Sequence, residues 1–183
     1  PDIAFAVNSL SQFNNCYTQE HWMAAKRVLR YLKGTLEYGI TFHKTGKPLV
    51  GYVDADWGNC IVDRRSYSGY IFVLGGAAIT WEARKQRTVA LSSVEAEYLA
   101  LGEATKEAIF LRQFLSAMGF KNPTTVIFND NQSSQLLVKN PAYHSRTKHI
   151  DIRHHFIRNC VEEKVVDFKY LPTADMPADM LTK

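Results

Sequence analysis

With 183 residues, 46% hydrophobic and 22% charged, the chain can bury one ordinary core plus an appendage and is too apolar for a disordered tail. No run approaches the length of a membrane span, and the N-terminal stretch lacks the basic-then-apolar form of a signal peptide. The net charge of +4 is unevenly placed: basic residues gather at Lys26 to Lys33, Arg84 to Arg87 and His144 to Arg158, a distribution that suits a polyanionic partner. Cys16, Cys60 and Cys160 are odd in number and widely spaced, which reads as reduced thiols of an intracellular protein.

The first elements read as helices. Ile3, Ala6, Val7 and Leu10 recur at helical spacing within Pro1 to Gln12. A second helix is predicted from Gln19 to Lys33, with Trp22, Ala25, Val28, Leu29 and Leu32 as its apolar stripe and Gly34 as its stop. Leu36 to His43 reads as a short strand, and the polar, turn-prone Lys44 to Pro48 marks a boundary. Three strands follow, at Leu49 to Asp56, Ser68 to Leu74 and Ala77 to Trp81, with Gly75-Gly76 as a tight hairpin turn. A long helix then runs from about Ser92 to Met118, with Ser92 or Ser93 as N-cap, Glu95 completing a capping box and Gly119 closing it. Thr125 to Asn129 is a strand, Asn131 to Val138 a helix, and Thr147 to Glu163 a basic helix. Val165 to Tyr170 is the last strand, followed by a short terminal helix. The order implies an α/β protein with a mixed five-stranded sheet, helices on its faces and a short N-terminal helical segment.

Four acids fall where such a topology gathers side chains: Asp54 at a strand end, Glu97 at a helix start, Asp130 after a second strand and Asp179 near the terminal helix. Crowded carboxylates repel one another and call for a hard cation, and magnesium takes oxygen ligands while keeping open positions for a phosphate. The pattern prefers Asp54 to Asp56 and Glu97 to Glu95 but leaves both pairs open, since Asp54 and Asp56 share a strand face. His149, His154 and His155 form no zinc-ligand spacing with any cysteine. Arg84, Lys85, Arg87, Arg146, Lys148 and Arg153 are candidate phosphate contacts, and Asn59 or Gln132 candidates for sugar hydroxyls. Trp57 and Trp81 read as core or rim packing rather than base-stacking platforms.

Several motifs, in this order, carry a resemblance. They are Gly51-Tyr-Val-Asp-Ala-Asp-Trp57, Asp63-Arg-Arg-Ser-Tyr-Ser-Gly-Tyr70, Ile79-Thr-Trp-Glu-Ala-Arg-Lys-Gln86 and Leu91-Ser-Ser-Val-Glu-Ala-Glu-Tyr98, then Asn129-Asp-Asn-Gln132, Arg146-Thr-Lys-His-Ile-Asp-Ile-Arg153 and Ala178-Asp-Met-Leu-Thr-Lys183. Together they resemble the ribonuclease H domain of Ty1/copia-class LTR retrotransposon Pol polyproteins. Pro1-Asp-Ile3 and the stretch from His21 to Thr35 look like the end of the reverse transcriptase in the same polyproteins.

The resemblance implies a ribonuclease H-like fold over residues 47–183, behind a reverse-transcriptase end or connection at 1–46. It implies two-metal hydrolysis of the RNA strand of RNA–DNA hybrids during reverse transcription. Two Mg2+ ions, replaceable by Mn2+, would be held by Asp54, Glu97, Asp130 and Asp179. The implied partners are the hybrid and the reverse transcriptase of the same polyprotein, in the cytoplasm within virus-like particles. Many ribonucleases H carry a loop histidine before the last aspartate. Here Tyr170 to Asp179 has none, which leaves the proton shuttle to Asp175 or a histidine of the basic helix.

Overall fold

Five strands build one mixed sheet in the order β3-β2-β1-β4-β5, in a computed structural model that describes residues 1–139 and 148–183. β1 (Val50–Ala55), β2 (Tyr67–Leu74) and β3 (Ala77–Lys85) form an antiparallel meander. Gly75 and Gly76, at φ +63° and +80°, make the left-handed two-residue turn that joins β2 to β3. β3 runs four residues past the expected Trp81, because Tyr67 to Tyr70 at the start of β2 find their register partners in Glu82 to Lys85. β4 (Thr125–Asn129) lies parallel to β1, and β5 (Val166–Tyr170) parallel to β4.

Alternation along the strands splits the sheet into two faces. Val53, Tyr70, Phe72, Ile127, Val166 and Phe168 point to one face and share one buried cluster with α3 (Ser93–Ala117). That helix begins where Ser92 Oγ accepts from Glu95 N at 3.1 Å, and ends at Gly119 with φ +86°. Glu95 does reach back, but to Leu91 N at 2.8 Å, one residue before the cap. Ala96, Ala100, Ala104 and Ala108 form a small-residue ridge at a spacing of four, flanked by the buried Leu101, Leu111 and Leu115. α4 (Gln132–Lys139) and α5 (Lys148–Glu162) complete this layer.

The second face is thinly covered. Ile71, Ala83, Met176, Ala178 and Leu181 make its buried cluster, with Tyr52 stacked on Phe128 at 5.4 Å beside it. The expected terminal helix is two 3-10 turns instead, Thr173–Asp175 and Pro177–Leu181, where Pro172 and Pro177 deny the amides a longer α-helix needs. α1 (Ala4–Ser11) leans on this cluster through Ala4 and Phe5, with Phe5 edge-on to Tyr67 at 5.0 Å. α2 (Gln19–Gly34) buries no residue, and Trp22, Leu29 and Leu32 stand exposed. Residues 36–43 form no strand: Leu36, Tyr38, Ile40 and Phe42 alternate as a strand would, yet all are exposed. One ladder-like bond, His43 N to Gly75 O at 2.9 Å, is made. None of the described helices is long and apolar enough to cross a membrane.

Candidate metal centre

The parallel pairing of β1 with β4 sets Tyr52 opposite Phe128 on the second face. Asp54 lies two residues further along β1, and Asp130 two residues beyond Phe128, just past the end of β4, so the same register brings both carboxylates side by side. Glu97 arrives from the other face, in the first turns of α3. Its Oε1 accepts from Ala55 N at 3.1 Å and its Oε2 from Asn129 Nδ2 at 3.2 Å, which ties the helix start to both strand ends. One oxygen each from Asp54, Glu97 and Asp130 lies within 4.8 Å of the others.

Burial dominates the electrostatics here. It raises the Glu97 carboxyl to about 9, helped by the charges of Asp54 and Asp130 and opposed by the bonds from Ala55 and Asn129. Burial raises Asp54 as well, while the Thr182 hydroxyl and the Lys183 charge pull it back and Asp130 and Asp179 push it up. Three acids this close, in a set made wholly of hard oxygens, fit a divalent cation.

Asp179 stands outside the group of three, in the second 3-10 turn, where its carboxylate is ion-paired with Lys183; its charge still acts on Asp54. Asp56 faces inward rather than toward the group. Its Oδ1 accepts from Tyr67 N at 2.6 Å, its Oδ2 is buried without a partner, and burial pushes it up to about 6. Glu95 is engaged in capping α3.

The proposed phosphate and sugar contacts scatter. Arg84 is exposed beside Glu82 at 3.4 Å. Lys85 is committed: its Nζ lies 2.8 Å from Asp63 Oδ2 and donates to Gln12 Oε1 at 2.7 Å, tying α1 to the loop after β1. Asn59 and Gln132 are exposed, the latter at the first position of α4. Arg146 lies outside the described residues, as does the side chain of Lys148, whose backbone opens α5. A cleft of about 240 Å³ between β3 and α3 is lined by Arg84, Arg87, Lys106 and Arg153, with Glu82 and Glu103 as counter-charges. Trp57 is on the rim, exposed, with its indole N–H donating to Ala90 O at 3.2 Å. Of the shuttle candidates, Asp175 is exposed; among the histidines of the basic helix, His155 is exposed, His154 is buried against Tyr98 with Nε2 2.9 Å from Leu137 O, and the side chain of His149 lies outside the described residues.

Three residues around the acids are not among the sequence-predicted site residues. Asn129 is fully buried and braced by Gln135 Nε2 at 2.9 Å, so that its amide is aimed at Glu97. Thr173 Oγ1 donates to Asp130 Oδ2 at 2.6 Å, and Thr182 Oγ1 donates to Asp54 Oδ2. Only Asn129 sits beside a predicted acid, in a position where its role is guessable.

No family model matches the chain. It is 45% identical over its whole length to the retrovirus-related Pol polyprotein from transposon TNT 1-94 of Nicotiana tabacum, of which it spans 14%. It is also 55% identical over 112 residues to secreted RxLR effector protein 161 of Plasmopara viticola, a match covering 61% of this chain and 79% of that protein. Among solved structures, LC11-RNase H1 in complex with RNA/DNA hybrid superposes with a TM-score of 0.54 at 15% identity, covering 73% of this chain and 93% of that one. The full-length identity and the shared sheet agree: the chain belongs to the Pol polyprotein family of Ty1/copia-class retrotransposons, and it carries a ribonuclease H fold.

Proposed function

We propose that the chain is a ribonuclease H that hydrolyses the RNA strand of RNA–DNA hybrids made during reverse transcription, with two Mg2+ ions at Asp54, Glu97, Asp130 and Asp179. The observation that carries this reading is the set of three carboxylates within 4.8 Å at the edge of a ribonuclease H sheet. When bound, the metal ions supply charge neutralisation, a more acidic water and stabilisation of the leaving oxygen. The protein's own part is orientation. Ala55 N–H and the Asn129 amide hold Glu97, and threonine hydroxyls hold Asp54 and Asp130. Asp179 joins from the terminal turn, after its pair with Lys183 opens.

A hybrid is gripped by shape, phosphates and 2′-hydroxyls. The basic cleft between β3 and α3 supports such a grip, with Arg84 on its lining as a phosphate contact; Arg146 and Lys148 are assigned to further phosphates, and Asn59 and Gln132 to sugar hydroxyls, on their residue chemistry alone. Lys85 joins them only by exchanging Asp63 for a phosphate. Residues 1–46 act as the reverse-transcriptase end that connects to the ribonuclease H domain at 47–183. The exposed apolar face of α2 supports a further protein surface there, as the polymerase of a Pol polyprotein would supply.

The test is cleavage of a labelled RNA–DNA hybrid in Mg2+ and in Mn2+, beside single-stranded and duplex controls. Hybrid-specific cutting that Asp130→Asn abolishes is expected. Retained hybrid binding with no cutting in either metal would overturn the enzyme reading in favour of a ribonuclease H-like module that binds hybrid or supports the reverse transcriptase structurally.

A further inference from the structure

The two 3-10 turns that close the second face each send one threonine hydroxyl to one of the clustered acids. Thr173 Oγ1 donates to Asp130 Oδ2 at 2.6 Å from the first turn. Thr182 Oγ1 donates to Asp54 Oδ2 from the residue that ends the second. The Thr182 hydroxyl has one proton and two acceptors in reach, the other being Asp179 O at 3.1 Å. The carboxylate oxygen is the closer of the two acceptors.

Thr182 is fully buried, and so are Ala178 and Leu181 in the same turn. What admits the turn is a missing side chain on β2. Gly69 is the register partner of Asp54, and a Cβ there would stand 2.6 Å from Leu181 Cβ, 3.1 Å from Ala178 O and 3.1 Å from Thr182 Cγ2. The glycine is therefore a socket. It lets the turn sit directly on the strand pair and brings the Thr182 hydroxyl under Asp54. A carboxylate held through one oxygen keeps a single orientation, and such outer contacts set how well a ligand group binds its ion.

We infer that Thr182, seated in the Gly69 socket, is a positioning residue that fixes the Asp54 carboxylate for divalent-metal binding. The inference rests on the reading of Asp54 as a metal ligand, but not on the identity of the nucleic acid. Two comparisons isolate the hydroxyl. Thr182→Val keeps the shape and deletes the donor. Thr182→Ala against Thr182→Ser removes the methyl from both and leaves the hydroxyl in one.

The primary readout is Mn2+ affinity of the whole chain without nucleic acid, by paramagnetic resonance, beside melting in EDTA. Thr182→Val is expected to bind Mn2+ about tenfold more weakly than the parent, within the usual range for an outer contact. Thr182→Ala should show the same loss, while Thr182→Ser should stay within about twofold of the parent. Parent-like affinity in Thr182→Val would overturn the inference, and so would a Thr182→Ser protein as weak as Thr182→Ala. If Thr182→Val fails to fold, the Ala–Ser pair decides alone. A parent protein that binds no Mn2+ would sink the metal-centre reading itself, and one that binds Mn2+ yet leaves hybrids intact would sink only the proposed substrate.

Discussion

On one face of the sheet, α3 alone lays down twelve buried residues, and the cluster it belongs to holds seventeen of the described ones. On the other face, two 3-10 turns and the shoulder of α1 cover a cluster of five. The thick face contributes one acid, Glu97, on a long and well-capped helix. The thin face receives Asp54 and Asp130, the threonines that hold them, and Asp179. Stability and site are thus unequally divided: one face is packed in depth, and the other is a shallow layer whose small residues are spent on placing polar groups. Substitutions on the two faces should accordingly fail in different ways.

The largest difference is expected at Glu97, where the thick face meets the acids. Glu97→Gln should cut hybrid cleavage more than about 100-fold, beyond what an outer contact usually costs. The same change should help the metal-free fold. A Glu carboxyl raised from 4.5 to about 9 keeps its proton in the folded state over a range where the unfolded chain has lost it. The fold then binds the extra proton between those values, so metal-free stability falls as pH rises from about 4.5 to 9. Asp56, raised to about 6, adds a slope of the same sign below pH 6. Melting in EDTA from pH 5 to 9 should therefore decline in the parent, and should flatten above pH 6 in Glu97→Gln. With Mg2+ the parent's decline should shrink, because the ion stabilises the ionised form. A parent melting curve flat across this range would break the argument.

A second pair of substitutions compares the faces directly. Leu101→Ala, at a fully buried position on the sheet-facing side of α3, should cost roughly 3–5 kcal/mol, since a deep cluster cannot close the cavity. Leu181→Ala is also fully buried, but in a layer two short turns thick that can settle, so roughly 2 kcal/mol is expected. Metal dependence should reverse that order. Leu181 adjoins Thr182 and packs against Gly69, so its loss should raise the Mg2+ concentration needed for half-maximal cleavage. Leu101→Ala should leave that concentration unchanged at temperatures where the protein remains folded. Denaturant unfolding beside Mg2+ titration of cleavage separates the two effects.

How much of this was legible in the sequence follows the same division. The thick face announces itself: apolar runs for β1, β2, β4 and β5, a glycine pair at the hairpin, and Ser92 with Glu95 at the start of α3 can all be read locally. The thin face cannot. That Asp54 and Asp130 stand side by side depends on β1 pairing with β4, a neighbour 76 positions away, which no local pattern encodes. Thr173 and Thr182 look like ordinary threonines until the turns that carry them are docked. The strand expected at Leu36 to His43 failed for a related reason: alternation describes a segment that wants a partner, and among the described residues none pairs with it. The short terminal helix is present as two 3-10 turns rather than an α-helix, because two prolines, five residues apart, withhold the amides a longer helix needs.

The smallest expected effect concerns the tie between the N-terminal segment and the sheet. Lys85, an apparent phosphate contact by sequence, bridges Asp63 and Gln12, and Gln12 in turn donates to Tyr67 OH. Asp63 is drawn down to about 2 mainly by its bond from Lys85, as expected if that lysine is already taken. Lys85→Met keeps the alkyl stem and removes the charge. For a pair at the surface the stability cost should be small, because solvent screens it. The informative quantity is the salt dependence of hybrid binding. A lysine that neutralises a phosphate contributes close to one unit to the slope of log affinity against log salt, whereas one held by Asp63 contributes nothing. An unchanged slope in Lys85→Met, with Arg84→Met lowering it, would mean that the basic edge is divided between holding α1 in place and meeting the nucleic acid. A slope that falls equally in both would mean that the Asp63 pair is exchanged for a phosphate when the hybrid binds.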